Sequence, residues 1–195
     1  MNYVYTQNDT LLHYYTCGNL MSRDSFLHVR RTMDCHVLIL VLKGCLPITV
    51  SGVPHLVKAG EFIFLKAGEE HYGHAPAKGS LSYFWVHFSS DHPWHTYAAK
   101  ASLNLCGLPK DFTYFLPEHG SPIHFQRVSL LFRQLNLKRG TGRGAEHQQT
   151  TAVFHRVLAV TDDTALVTGL EIFQQHDSSL VNVNLFCRGV VNADT

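Results

Sequence analysis

Charge of either sign is scarce in this sequence. Lys, Arg, Asp and Glu together make up 16% of the 195 residues, and the formal net charge is +1 with the 14 histidines neutral. A chain that grips nucleic acid by itself usually carries a basic patch or a clear positive balance. Neither is present. The densest basic stretch, Lys138, Arg139 and Arg143, is interleaved with Gly140, Gly142 and Gly144 and reads as a solvated linker. Long apolar runs are also missing. A membrane helix needs roughly 20 such residues, and the run Val37 to Leu42 is stopped by Lys43-Gly44. The opening stretch, Met1 to Thr10, is polar and has neither the basic start nor the apolar centre of a signal peptide. Cysteine is sparse and unpatterned: Cys17, Cys35, Cys45, Cys106 and Cys187 form no CxxC, and their number is odd. These absences point to a cytoplasmic protein with reduced thiols and no membrane contact.

What is present is a packed, aromatic chain. Hydrophobic residues reach 45%, with 12 Phe, 8 Tyr and 2 Trp, a composition for strands and for a ligand-lined interior. Between residues 26 and 88, short apolar stretches alternate with glycine turns at 44, 52, 60, 68 and 79. The stretches are Cys35 to Leu42, Leu46 to Val50, Pro54 to Val57, Glu61 to Leu65 and Leu81 to Phe88. Strands punctuated about every eight to eleven residues predict a mainly β, antiparallel barrel or sandwich. Residues 1–20 read as an arm and a short strand. Asp91 to Leu105 is mixed, with room for a helical turn after Pro93, and Phe112 to Leu116 is a candidate closing strand. Ser121-Pro122 is a helix start signal. Val128, Leu131, Phe132 and Leu135 follow it at helical spacing. Ala145 to Val160 is a second helix candidate, and Leu180 to Val191 a weak strand pattern. The expected organisation is a barrel with its arm over 1–120, a helical packing segment over 121–160, and an unassigned tail over 161–195.

The most informative stretch is Gly60-Glu-Phe-Ile-Phe-Leu-Lys-Ala-Gly68-Glu-Glu-His71. It resembles the second motif of the cupin family, G-x5-P-x-G-x2-H, with Lys66 where the family has proline. The resemblance implies a cupin-like double-stranded β-helix. Metal-binding cupins also carry a His-x-His and then a glutamate before the Val-Leu-Lys-Gly turn. Here Val37 stands at the glutamate position, and the paired-histidine positions fall within Arg30 to Met33. Only His71 keeps a ligand identity, and one imidazole does not hold a transition metal. No metal or cofactor is therefore expected. His28, His36 and His74 read as scattered structural or surface histidines, with an unusual cluster as the alternative.

A second resemblance is more specific. His28-Val-Arg30, Asp34-Cys-His36, Val41-Leu-Lys-Gly44, Lys58-Ala-Gly60-Glu61, Gly68-Glu-Glu-His71 and Tyr83-Phe-Trp-Val-His-Phe88 occur in the order and spacing of the N-terminal domain of AraC/XylS-type transcription regulators. The resemblance covers residues 10 to about 135 and weakens beyond 90. It implies an effector-binding barrel, an N-terminal arm, a helical pair that dimerises the domain, and DNA binding through a following helix-turn-helix domain. No segment after 145 has the helix, glycine-containing turn and basic recognition helix of such a domain. DNA binding is thus expected of the family rather than of this chain.

Strand alternation places Leu81, Tyr83, Trp85 and His87 on one face. An indole can stack on the C–H face of a sugar, and phenol, imidazole and guanidinium groups can bond its hydroxyls. In the arabinose-responsive members an arginine before the first long strand, a histidine and a tryptophan hold the sugar. The resemblance carries these roles to Arg30, Tyr83 and Trp85. His87 and His71 complete the candidate site. Each has a plainer reading: Trp85 as core, Tyr83 at the rim, Arg30 in a surface pair with Asp34 or Asp24, and His71 as a turn cap. The expected effector is a small neutral sugar, and the expected assembly is a homodimer through Leu131, Leu135, Val153 and Val157, with one of these stripes wholly consumed against the barrel as the alternative. The expected role is sensing, not catalysis, since no nucleophile signature surrounds any Cys or His. Two alternatives remain: a metal-dependent cupin enzyme, such as a sugar isomerase or dioxygenase, and a binding barrel with no regulatory role.

Overall fold

The computed structural model describes residues 2–7, 10–98, 112–122, 124–137, 153–154, 156–158, 170–172 and 183–185. The Lys138–Gly144 stretch, most of 145–160 and nearly all of the tail lie outside these residues, as do Cys106 and Cys187. Cys17, Cys35 and Cys45 form no disulfide with one another. No helix among the described residues is long and apolar enough to cross a membrane.

Two antiparallel sheets form the barrel. One contains, in order, β12 (His119–Gly120), β7 (Phe62–Leu65), β4 (His36–Lys43), β9 (Leu81–Ser90) and β2 (Leu12–Ser22). The other contains β3 (Arg31–Thr32), β8 (Glu70–Tyr72), β5 (Cys45–Val50) and β6 (Val53–Lys58). The chain passes from sheet to sheet at the glycine turns at 44, 60, 68 and 79, and turns back within one sheet at Ser51-Gly52. At Ser51-Gly52 both residues take positive φ (47° and 81°), the twist a two-residue hairpin needs to pair Val50 with Val53. At Gly44 a Cβ would sit 2.4 Å from the Ser80 carbonyl oxygen, so only glycine lets the β4–β5 turn lie against the start of β9.

The five-stranded sheet is apolar on both faces. Val37, Ile39, Val41, Ile63, Leu65, Leu81 and Tyr83 point inward and meet Leu46, Ile48, Val50 and Val57 of the opposing sheet. Leu38, Leu40, Phe62, Phe64, Phe84, Val86 and Phe88 point outward. They are covered by α1 (Phe125–Leu137) through Val128, Phe132 and Leu135, and by the helical residues Val153, Phe154, Val157 and Leu158. Phe84 and Phe132 stack with centroids 5.6 Å apart and planes 3° from parallel.

Four expectations change. Phe112 to Leu116 does form a strand, β11 (Phe112–Pro117), but it does not close the barrel. It joins a three-stranded sheet with β1 (Asn2–Gln7) and β10 (His95–Ala98), in the order β10-β1-β11. The segment after Pro93 runs into strand β10 rather than a helical turn, because β1 offers it a pairing edge from Asn2 to Tyr5. Helix α1 begins at Phe125, and the His124 carbonyl accepts from the Val128 N–H, so the cap lies beyond Ser121. Finally, Leu135, Val153 and Val157 are spent inside the chain, with Leu131 partly buried against the same core. In the tail, β13 (Leu170–Ile172) pairs with β14 (Val183–Leu185).

Candidate functional site

At one end of the barrel the inner lining changes from aliphatic to aromatic and polar. The odd residues of β9 end in Tyr83, Trp85 and His87. Across the pairing of β3 with β8, Arg31 stands opposite His71, so the two side chains share a face. The irregular stretch before β3 adds Phe26 and the buried His28. Ring contacts fall in two groups. Phe26 lies 6.2 Å from Tyr83 and 6.3 Å from His28, His28 lies 5.4 Å from His71, and Trp85 lies 4.7 Å from His87, all between centroids.

Trp85 owes its position to a glycine on the neighbouring strand. Gly18 of β2 is its register partner. A Cβ on Gly18 would fall 2.4 Å from Cζ2 and 2.6 Å from Cε2 of the indole, so the ring lies over the space a side chain would fill. A glycine inside a strand usually marks such a close approach.

Of the residues named from the sequence, Tyr83, Trp85, His87 and His71 come together here. Arg30 does not. It sits one residue out of phase with Arg31, and its guanidinium lies 2.7 Å from the Glu70 carboxylate and 3.5 Å above the Tyr72 ring, on the exposed side of the sheet. Its surface pairing was foreseen, though with Asp34 or Asp24 as partner. Arg31 takes the inner position instead. Its charge is felt at His28, His71, His87 and Tyr83. Arg31 and His28 were both missed as site residues. Of the three other histidines singled out, only His28 comes near His71. Thr49 binds His74 at 3.1 Å, and His36 lies on the opposite face of the sheet.

Burial sets the protonation of the site. Desolvation, the largest cause, pushes His28 down to about 4, with nearby His71 and Arg31 adding to it. His71 and His87 are lowered for the same first reason. Burial pushes the Tyr83 hydroxyl up to about 12. At neutral pH the imidazoles and the phenol are therefore uncharged, and Arg31 supplies the positive charge. Tautomers follow from the hydrogen bonds. His28 Nδ1 lies 3.1 Å from the Val29 carbonyl and His71 Nδ1 lies 3.3 Å from the Glu69 carbonyl. A carbonyl only accepts, so each Nδ1 carries the proton and each Nε2 is left as an acceptor. Neither Nε2 has a hydrogen-bond partner among the described residues. The site thus holds two acceptors, a hydroxyl, a cation and an aromatic plate.

Among the described residues, no group of three or more His, Cys, Asp and Glu side chains is placed to hold a metal ion. A separate open cleft of about 320 Å³ lies where β4 begins and β9 ends, lined by Asp34, His36, Lys66, Glu69, Ser90 and Trp94. Lys66 Nζ lies 2.8 Å from Glu69 Oε1, while Glu69 Oε2 and Trp94 Nε1 are buried without a hydrogen-bond partner among the described residues. Both ring nitrogens of His36 are taken, Nδ1 accepting from the Ala67 N–H at 3.0 Å and Nε2 donating to Ser90 Oγ at 3.3 Å.

A helix-turn-helix transcriptional regulator of Bacillus subtilis strain 168, YisR, is 36% identical over 84 residues, which are 43% of this chain and 29% of that protein. The chain therefore spans less than a third of this relative. A predicted oxalate decarboxylase from Thermotoga maritima is 16% identical, over 38% of this chain and 66% of its own, with a TM-score of 0.35. The cupin domain of Schizosaccharomyces pombe Cnp3 is 10% identical, over 44% and 68%, with a TM-score of 0.34. Likeness at that level carries no argument about activity. The model of the AraC-like ligand binding domain matches residues 13–152, well over half of the sequence and all of the barrel mouth, so the chain belongs to the AraC-like ligand-binding domain family.

Proposed function

We propose that this barrel is the effector sensor of a transcription regulator, and that its effector is a small polyhydroxylated molecule of monosaccharide size held against Trp85. The observation that carries the reading is the combination on the inner face: an indole laid over Gly18 and against His87, and the Nε2 acceptors of His28 and His71, with the field of His71 reaching His87. A sugar needs an apolar plate for its C–H face and acceptors for its hydroxyl protons. A flat apolar effector would cover those imidazole nitrogens and strip them of water without matching them, which is costly. On this reading the barrel senses its ligand and does not convert it. DNA contact belongs to a helix-turn-helix segment of the kind named in the Bacillus relative. Dimerisation, also part of the proposal, would use the exposed leucines of α1, Leu130 and Leu137.

Calorimetry against a panel of monosaccharides and their oxidised forms, with tryptophan fluorescence as a second signal, tests the site. Trp85→Ala should weaken binding by about 1–3 kcal/mol, the scale of a well-packed aromatic contact. Binding is compared at a temperature where both proteins are folded. An effector that binds Trp85→Ala as tightly as the native protein would show that the site lies elsewhere.

A further inference from the structure

We infer that the effector carries one carboxylate and that Arg31 is the residue that holds it. This rests on the reading of the barrel mouth as a polyol site and adds the ligand's charge, where the sequence led to a neutral sugar. The argument is one of charge matching. The two carboxylates that precede His71 are both committed to other cations: Glu69 to Lys66 at 2.8 Å and Glu70 to Arg30 at 2.7 Å. Arg31 makes no ion pair among the described residues, yet it faces the mouth opposite His71. The rings around it are His28, His71, His87 and Tyr83, which burial keeps neutral. The mouth is therefore a neutral, partly desolvated lining with a single positive charge at its edge. A planar guanidinium matches a carboxylate through two parallel N–H···O bonds. A phosphate would call for further cations or a helix N-terminus, and the described mouth residues add none. Arg31 is itself exposed, so water solvates its charge before a ligand binds; a neutral hydroxyl would replace that water with little gain, whereas a carboxylate adds a charge-assisted contact. With the Trp85 plate and the imidazole acceptors, the ligand class is a hydroxylated carboxylic acid of monosaccharide size, such as a uronic or aldonic acid.

The test uses matched pairs that differ only at one carbon, such as glucose with glucuronate and galactose with galacturonate, titrated into the native chain at low and moderate salt. For a pair that binds, the acid should bind at least about tenfold more tightly than the neutral sugar, the scale of a charge-assisted bidentate contact. Arg31→Gln should bring that ratio close to one. Arg30→Gln, on the outer face, should leave the ratio as it is. Thermal melts of each variant show that the fold survives. A neutral sugar that binds as tightly as its acid, or an acid preference that persists in Arg31→Gln, overturns the inference while leaving the polyol site standing. If neither member of any pair binds and an aromatic acid such as benzoate does, the polyol reading itself fails and this inference with it.

Discussion

The two faces of the five-stranded sheet are made by the same strands and serve opposite ends. On the outer face His36 is buried, but both ring nitrogens are bonded to the protein and the ring packs among Phe64, Phe88 and Trp94. On the inner face His28 and His71 are also buried, yet each uses only one nitrogen. The outer face is built of aromatic contacts, and its histidine has no ring nitrogen to spare. The inner face ends in polar atoms that the described chain does not satisfy. Burial alone does not distinguish a structural histidine from a binding one; the accounting of its second nitrogen does.

Acid should affect both faces most strongly. Burial holds His28 and His36 down from 6.5 to about 4. Between those values the unfolded chain takes up protons that the folded chain refuses. Stability is thus highest above pH 6.5 and falls as the pH drops toward 4, by up to about 3 kcal/mol for each histidine. Denaturant titrations at stepped pH should show this slope. His28→Asn and His36→Asn should each flatten it, the first on the inner face and the second on the outer. A slope unchanged in both variants would show that other groups cause the acid sensitivity.

Phe132→Ala breaks the outer face only. It removes a fully buried ring stacked on Phe84, at a cost of about 3–5 kcal/mol in stability. Effector affinity, measured where the variant is folded, should remain near native. A loss of affinity without a loss of stability would reverse the assignment of the two faces.

Gly18→Ala is the smaller and more selective change. The new Cβ collides with the indole of Trp85 rather than with backbone, so the ring must turn aside. Overpacking of this kind costs about 1–3 kcal/mol, and the low end is expected because the clash is with a side chain. The Trp85 fluorescence should shift and effector binding weaken. Native-like binding and an unchanged spectrum would show that the ring position over Gly18 is not the binding pose.

Much of the barrel was legible because its signals are local. Glycine turns and alternating strands report on neighbouring residues, and β9 placed Tyr83, Trp85 and His87 together by its period of two. The misses were decided by distant partners. Strand β3 is two residues long, and its phase is set only by pairing with β8; a slip of one residue exchanges Arg30 for Arg31. Strand β8, Glu70–Tyr72, is too short and polar to show a pattern. The sheet to which Phe112–Pro117 belongs depends on β1, more than a hundred residues earlier. His28 lies in no strand, so no periodicity could aim it. Gly18 did carry a signal, as a glycine within a strand.

Strand β9 also fixes how thin the partition is between the mouth and the helix. Tyr83, Trp85 and His87 face the mouth, while Phe84 stacks on Phe132 of α1 and Phe88 meets Phe154 at 5.1 Å. Adjacent residues of one backbone therefore touch the effector side and the helical side. The wall is a single strand deep, and a backbone displacement that reseats Trp85 also moves the floor on which Phe132 rests.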